Sequence, residues 1–266
     1  MNLRTNGVAL CLLAALCVLT HGAVQAAEIT VLAGMGNVSG INDLAPAFER
    51  ASGHKVIVRF VPTAELPKVI GATLADQLRG GPQEMMAMDV VTAGPEAIDD
   101  YIAKGRVLAG TRVDFAKAGV GVSVKAGAPK PDIGTVDAFK RAMLAAKSIG
   151  YSNGGSGTIA AKVMEKLGIA AQLKDRTKFI NGRPVAEDVA KGAVEIGIQQ
   201  INVLLPEPGA DYVGPLPGEL QDYVLFSLGV LAVSKQQDAA KAFQKFATAP
   251  ENAALLRKSS MEPWGR

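Results

Sequence analysis

Two stretches of the chain share one design suited to holding an anion. In the first, an apolar run gives way to Gly34-Met35-Gly36-Asn37-Val38-Ser39-Gly40 and a helical pattern starts at Ile41; in the second, Ser152-Asn153-Gly154-Gly155-Ser156-Gly157 leads into a helical pattern at Thr158. A helix N-terminus offers unpaired backbone N–H groups and a partial positive charge, and glycines let an anion approach that backbone closely. The hydroxyls of Ser39, Ser152, Ser156 and Thr158 can add hydrogen bonds. Each stretch alone also reads as an ordinary cap and turn; two of them, one in each half of the chain, raise the anion-site reading. Gly36, Asn37, Ser39, Ser152, Ser156 and Gly157 are therefore candidate ligand-binding residues. Gln199 and Gln200 end a strand-like run, and Thr63 stands between Pro62 and a helical stretch. Ligand groups gather at such strand ends in open α/β sheets. These three join the candidates, the alternative for the glutamines being an amide satisfied by backbone.

Other chemistries find little support. Neither glycine loop has the full G-x-G-x-x-G spacing followed by a ribose-binding acid, and no G-x-x-x-x-G-K-[ST] element occurs, so no nucleotide cofactor is expected. Lys and Arg number 28 against 25 Asp and Glu, and a formal charge of +3 gives no case for a nucleic-acid partner. Residues 1–26 carry one charged residue, Arg4, then an apolar run from Val8 to Leu19, then Val24-Gln25-Ala26 with small residues where a signal peptidase reads. That run of about 12 residues falls short of the roughly 20 that a spanning helix needs. The expectation is a cleavable secretory signal and a mature chain starting near Ala27. Cys11, Cys17 and His21 would leave with it, so no disulfide, thiolate or metal cluster is expected, and His54, in a Gly-His-Lys turn, is placed at the surface.

The elements that must position the candidates alternate between short β-rich runs and helical patterns, which argues for an α/β architecture with mainly parallel sheets. Strands are expected at 29–33, 55–61, 89–93, 120–124, 148–152, 178–180, 195–200 and 223–234, with helices between them and two more at 239–247 and 251–258. Two similar series followed by a return segment suggest two lobes, residues 27–110 with 206–266 and residues 111–205. The proline-rich second crossing, Leu204 to Pro208, reads as a stiff hinge.

Several short motifs carry a family resemblance. The signal, the Glu28-Ile29-Thr30-Val31 opening, the Asp43-Leu44 and Ala47-Phe48-Glu49 helix, the Asp89-Val90-Val91 strand, and Ala190-Lys191-Gly192 with Glu195-Ile196-Gly197 all fit one family. They resemble the periplasmic solute-binding proteins of ABC importers, in the class II branch related to molybdate-binding proteins. The resemblance implies two α/β lobes closing on a ligand in the cleft between them, with donors from hydroxyls and backbone amides. It implies a monomer in the periplasm, without cofactor, that captures a small anion for a membrane permease. Carried onto this sequence, the contacts fall near Gly36 and Asn37, near Thr63, near Ser156 and Gly157, and near Gln199 and Gln200. Molybdate binders usually show serine in the first loop and Ser-Ser-Gly in the second, where this chain reads Gly36-Asn37 and Pro62-Thr63-Ala64. A small carboxylate therefore stands beside a molybdate-like oxyanion as the expected ligand.

The run Ala128-Pro129-Lys130-Pro131-Asp132-Ile133-Gly134, with Tyr151-Ser152 and Ile198-Gln199-Gln200, is similar to a divergent subgroup that includes periplasmic aconitate isomerases. That resemblance implies an alternative function, allylic proton transfer in a tricarboxylate on the same fold. Such chemistry needs a base near the mobile proton, and Glu65, Asp89, Glu96 or Lys125 are the groups that could approach the cleft. A third reading, an adhesion or sensor protein with a vestigial cleft, requires no ligand.

Overall fold

The computed structural model describes residues 26–79 and 88–264. Residues 1–25 of the expected signal, and residues 80–82 of the loop read after the second helix, lie outside the described residues. Strand β1 (Glu28–Gly34) is followed by helix α1 (Val38–Ser52), β2 (Lys55–Val61), α2 (Leu66–Leu78), β3 (Val90–Ala93) and α3 (Pro95–Ala103). The long strand β4 (Val113–Lys125) leads to α4 (Val136–Ala145), β5 (Ile149–Ser152), α5 (Gly155–Lys166), β6 (Thr177–Ile180), α6 (Val185–Ala190) and β7 (Ile196–Gln200). After β8 (Ala210–Pro215) the chain returns through β9 (Tyr223–Val230) and closes with α7 (Gln237–Thr248), α8 (Ala253–Lys258) and β10 (Glu262–Pro263).

Hydrogen bonding joins the strands in the order β2-β1-β3-β9-β4-β7-β5-β6, with β8 and β10 both on β4. Parallel pairing runs through β2-β1-β3 at one end and β7-β5-β6 at the other. The return strands β9 and β4 lie antiparallel between them. Parallel strands covered by helices on both faces read as unbroken apolar runs, and β1 is buried from Ile29 to Gly34, with only its first residue, Glu28, exposed. The edge strand β2 instead alternates between intermediate and exposed positions.

The two lobes meet along β4. Its first half, Val113 to Gly119, pairs with β9; its second half, Val120 to Val124, pairs with β7, and residues 121–125 also pair with β8. One core gathers Ile29, Val31, Phe48, Phe115, Phe226 and Phe243 around the first lobe, with Leu32, Val91 and Tyr101 packed on the other face of that sheet. The second core gathers Val122, Phe139, Met143, Ile149 and Ile198, together with Leu216 and Leu220. The pairing thus changes inside a single strand, and β8 with the residues that follow it packs on the second lobe.

Two local features differ from the pattern read in the sequence. Helix α5 starts at Gly155, not Thr158, so Ser156 and Gly157 belong to its first turn. His54 is buried at 7% exposure, where it stacks on Phe48 at 5.7 Å and accepts a hydrogen bond from the Ala27 N–H at 3.0 Å on Nδ1. A surface turn would have left that ring wet; the chain's return onto Phe48 covers it. Among the described residues no helix is long and apolar enough to cross a membrane.

Candidate functional site

A cleft of about 590 Å³ opens between the lobes, lined by the C-terminal ends of all six parallel strands. In open α/β sheets these ends face a crevice because the connections to the following helices leave there. The first lobe contributes Gly34 to Asn37 after β1, Pro62 to Glu65 after β2, Thr92 to Gly94 at the end of β3, and Val224 to Phe226 of β9. The second contributes Ser152 to Gly155 after β5, Ile180 to Pro184 after β6, Gln199 and Gln200 ending β7, and Val203. The volume lies in the range of roughly 300–1,000 Å³ typical of small-molecule sites, and Met35, Val224 and Phe226 give the cleft apolar surface as well as donors.

Of the residues proposed from the sequence, Gly36, Asn37, Thr63, Ser152, Gln199 and Gln200 line this cleft. Ser39, Ser156 and Gly157 stand behind its wall and hold the lining in place. The Ser156 side chain is fully buried, and its hydroxyl donates to Gln200 Oε1 at 3.2 Å while lying 3.3 Å from Ser152 Oγ. At Gly157 a Cβ would fall 1.5 Å from the carbonyl oxygen of Ser152, so only glycine lets α5 start this close to β5. Ser39 Oγ accepts from Asn202 Nδ2 at 3.1 Å, and the same nitrogen donates to the Gly36 carbonyl at 2.9 Å. Asn202 thereby ties the turn after β7 to the first turn of α1.

The two glutamines are oriented by their neighbours. Gln199 Oε1 accepts the Val185 backbone N–H at 2.7 Å. A backbone N–H only donates, so the identity of the accepting atom is fixed and Nε2 must be the end left over. Gln200 Oε1 is held by Ser156, and its Nε2 lies where a side chain on Gly36 would collide, 2.8 Å from that position. Both amides thus spend their oxygens on the wall and keep N–H groups at the cleft. Asn37 is 2% exposed and donates from Nδ2 to Thr92 Oγ1 at 2.8 Å, while its Oδ1 is buried without a partner among the described residues. Helix α5 adds its positive N-terminal end beside Gly154 and Gly155.

Charge enters the lining at two places. Glu65 ends the single turn after β2, and Arg183 sits on the loop after β6, paired through Nη2 with both oxygens of Asp188 at 2.9 and 2.7 Å. The other groups proposed as acid or base lie elsewhere. Asp89 is buried, accepting from the Thr30 N–H at 2.8 Å and the Ser234 hydroxyl at 2.6 Å; Glu96 is in the first turn of α3, and Lys125 ends β4 beside Gly192. Tyr151, next to Ser152, has its phenol pushed above the ordinary value of 10.0 by burial, which keeps it neutral. The sequence reading missed Arg183 and the whole β9 contribution. Applying the strand-end rule to β6 as it was applied to β7 would have found Arg183.

Residues 29–262 match the family of bacterial extracellular solute-binding proteins. An aconitate isomerase from Pseudomonas sp is 31% identical over 237 residues, 88% of this chain and 87% of that protein. A molybdate-binding protein from Azotobacter vinelandii is 29% identical over 251 residues, covering 88% of this chain and 90% of the relative. The solved periplasmic molybdate-binding protein of Azotobacter vinelandii superposes with a TM-score of 0.67 at 19% identity, over 88% of this chain and 98% of its own.

Proposed function

Because the chain belongs to the bacterial extracellular solute-binding proteins, we infer that its cleft captures a small organic anion in the periplasm and delivers it to an ABC permease. The observation that carries this reading is the orientation of Gln199 and Gln200, whose oxygens are engaged in the wall so that N–H groups remain for a ligand. Beside them the N-terminus of α5 favours negative charge. The apolar patches of Met35, Val224 and Phe226 suit a carbon skeleton better than a fully hydrated inorganic ion. The mechanism is hinge closure: the lobes, divided within β4, swing together and replace the ligand's water with preorganised donors. The protein acts as a monomer in this reading, and the contacts are Gly36, Asn37, Thr63, Ser152, Gln199 and Gln200, with Ser39, Ser156 and Gly157 supporting them. Isothermal titration against citrate, cis- and trans-aconitate, molybdate, tungstate and sulfate tests it. Tight binding of a carboxylate supports the reading, and binding of none of the carboxylates refutes it.

A second reading, isomerisation of aconitate in the same cleft, is favoured by the similarity to an aconitate isomerase and by the Glu65 carboxylate in the lining. In that reaction a base removes a proton from the methylene carbon, the double bond shifts by one position, and the proton returns to the former alkene carbon. The net composition is unchanged, so no cofactor is needed. Glu65 is the lining residue able to accept and return that proton. Following the ultraviolet absorbance of cis-aconitate with purified protein decides the matter; no conversion to the trans isomer at high protein concentration removes this reading.

A further inference from the structure

Arg183 is the one cationic side chain among the described residues that line the cleft. It reaches the wall because β6 ends at Ile180 and the chain turns through Asn181 and Gly182, the latter at φ +73, a left-handed conformation that glycine adopts without strain. The segment is then pinned. Val185, which starts α6, donates its backbone N–H to Gln199 Oε1 on β7, so Arg183 and the Gln199 amide belong to one rigid patch of the second lobe. The guanidinium is itself held. Both oxygens of Asp188, one turn along α6, accept from Nη2. Asp188 is mostly buried, at 13% exposure, whereas the Arg183 side chain is 48% exposed. The pair therefore fixes the guanidinium without covering it, and Nε and Nη1 have no partner among the described residues.

A planar guanidinium matches a planar carboxylate, with two parallel N–H groups facing two oxygens, far better than it matches a compact tetrahedral ion. The lining also sets its donors in a row. In the order β7-β5-β6, Gln199 ends β7, the N-terminus of α5 follows β5, and Arg183 follows β6, with Val224 and Phe226 of the first lobe contributing apolar surface. A ligand that spans this row carries more than one anionic group on a carbon framework.

We propose that Arg183, positioned by Asp188 and assisted by the Gln199 amide, reads a carboxylate of the ligand and makes the cleft selective for small organic polycarboxylates over tetrahedral oxyanions. The proposal rests on the small-anion reading above and names its substrate class. Arg183 contacts the ligand; Asp188 acts through Arg183.

The test is isothermal titration of the whole mature protein with trans-aconitate, citrate, succinate and molybdate, on wild type, Arg183→Gln, Asp188→Asn and, as a control for general charge, Lys174→Gln on the exposed side of the same lobe. Thermal unfolding of each variant confirms folding, which a half-exposed Arg183 does not govern. The expected result is that wild type binds the polycarboxylates more tightly than molybdate. Arg183→Gln should weaken trans-aconitate by about 10- to 100-fold, the loss of a charge-assisted hydrogen bond. Asp188→Asn should weaken it by a smaller factor, and Lys174→Gln should leave it unchanged. Wild-type affinity in Arg183→Gln overturns the proposal while leaving the small-anion reading intact. Equal losses in Arg183→Gln and Lys174→Gln overturn it as well, since the effect would then be diffuse charge, and so does an equal loss for molybdate and trans-aconitate. If wild type binds none of the carboxylates, the small-anion reading itself fails and the proposal with it.

Discussion

The contact between α5 and β5 gives the most demanding test of how this cleft is built. Alanine at position 157 would place a Cβ 1.5 Å from the Ser152 carbonyl oxygen, where real Cβ atoms stay beyond 3.0 Å. Either the helix or the strand end must move by about 1.5 Å, and the obstacle is backbone, not the far end of a flexible side chain. Two effects oppose each other. Alanine favours the helix over glycine by about 1 kcal/mol, while overpacking costs roughly 1–3 kcal/mol, with a rigid carbonyl at the upper end. The clash wins by about 2 kcal/mol, and at roughly 2–4 °C per kcal/mol for a chain of this size the melting temperature should fall by about 4–8 °C. The same displacement pulls Ser156 away from Gln200, so ligand affinity should fall along with stability. Circular-dichroism melting and titration with trans-aconitate measure both. Gly154→Ala is the matched control: a Cβ there meets nothing nearer than Ser152 Oγ at 3.7 Å, and its φ of −90 suits any residue, so the melting temperature should stay within about 1 °C. An unchanged or raised melting temperature for Gly157→Ala would refute the reasoning, because the helix start would then not be set by that close approach.

Three further outcomes follow from the same geometry. Removing the Ser156 hydroxyl in Ser156→Ala leaves the buried Gln200 Oε1 without its donor, which should cost about 1 kcal/mol and weaken the ligand about fivefold; unaltered melting and affinity together would show that Gln200 is not held there. Glu65→Gln should keep citrate affinity within about threefold yet slow any cis-to-trans conversion of aconitate by roughly 100-fold or more, and a variant as active as wild type would clear Glu65 of the proton transfer. The third concerns acid. The Arg112 guanidinium beside Asp114, with the Ser227 hydroxyl, holds its carboxyl below the ordinary value of 3.8. A lowered carboxylate contributes stability that is complete above the ordinary value and is lost as pH falls through the lowered one. Urea unfolding should thus show wild type more stable than Asp114→Asn at pH 7, with the gap closing below about pH 4; a gap that stays constant down to pH 2 contradicts it.

The fold was legible because its parallel strands advertise themselves. Ile29 to Ala33 and Asp89 to Ala93 are short apolar runs next to glycine-rich starts of helices, and the physical demand for burial on both faces leaves little else they can be. What was not legible is the first half of β4, although its second half and β9 were. The run Val113 to Gly119 mixes Asp114 and Lys117 with apolar residues, and with that mixture it carries no clean strand pattern even though it pairs with β9 and β10. The site divides the same way. Gly36, Asn37, Gln199 and Gln200 follow from strand-end chemistry, whereas Val224 and Phe226 reach the cleft only because β9 returns from the far end of the chain to lie beside β3. Hydroxyls and glycines at a helix start suit anions, which is what marks Ser156 and Gly157 in the sequence. The structure buries the Ser156 side chain, because a first turn seated on β5 turns it inward to Gln200.

That inward turn bears on how the two lobes share the work of recognition. On the second lobe three of the donors are held by packed neighbours: Gln199 by the Val185 N–H, Gln200 by Ser156, and Arg183 by Asp188. Donors fixed before the ligand arrives lose little freedom when it binds, which is where preorganised sites gain affinity. The first lobe is built differently. Asn37 keeps a buried oxygen unpartnered, Thr63 is exposed on a single turn, and the apolar residues of β9 supply surface without direction. Selectivity should therefore reside on the second lobe, with the first acting as the cover that excludes water. The hydrogen bonds from Asn202 to Gly36 and Ser39 join the two at one side of the cleft, which is the side about which the proposed closure would pivot. Substitutions in the second-lobe patch should then change which anion is preferred, while substitutions at Thr63 or Phe226 should weaken all ligands alike. A titration series in which Phe226→Ala reorders the preference among citrate, succinate and molybdate would break this division.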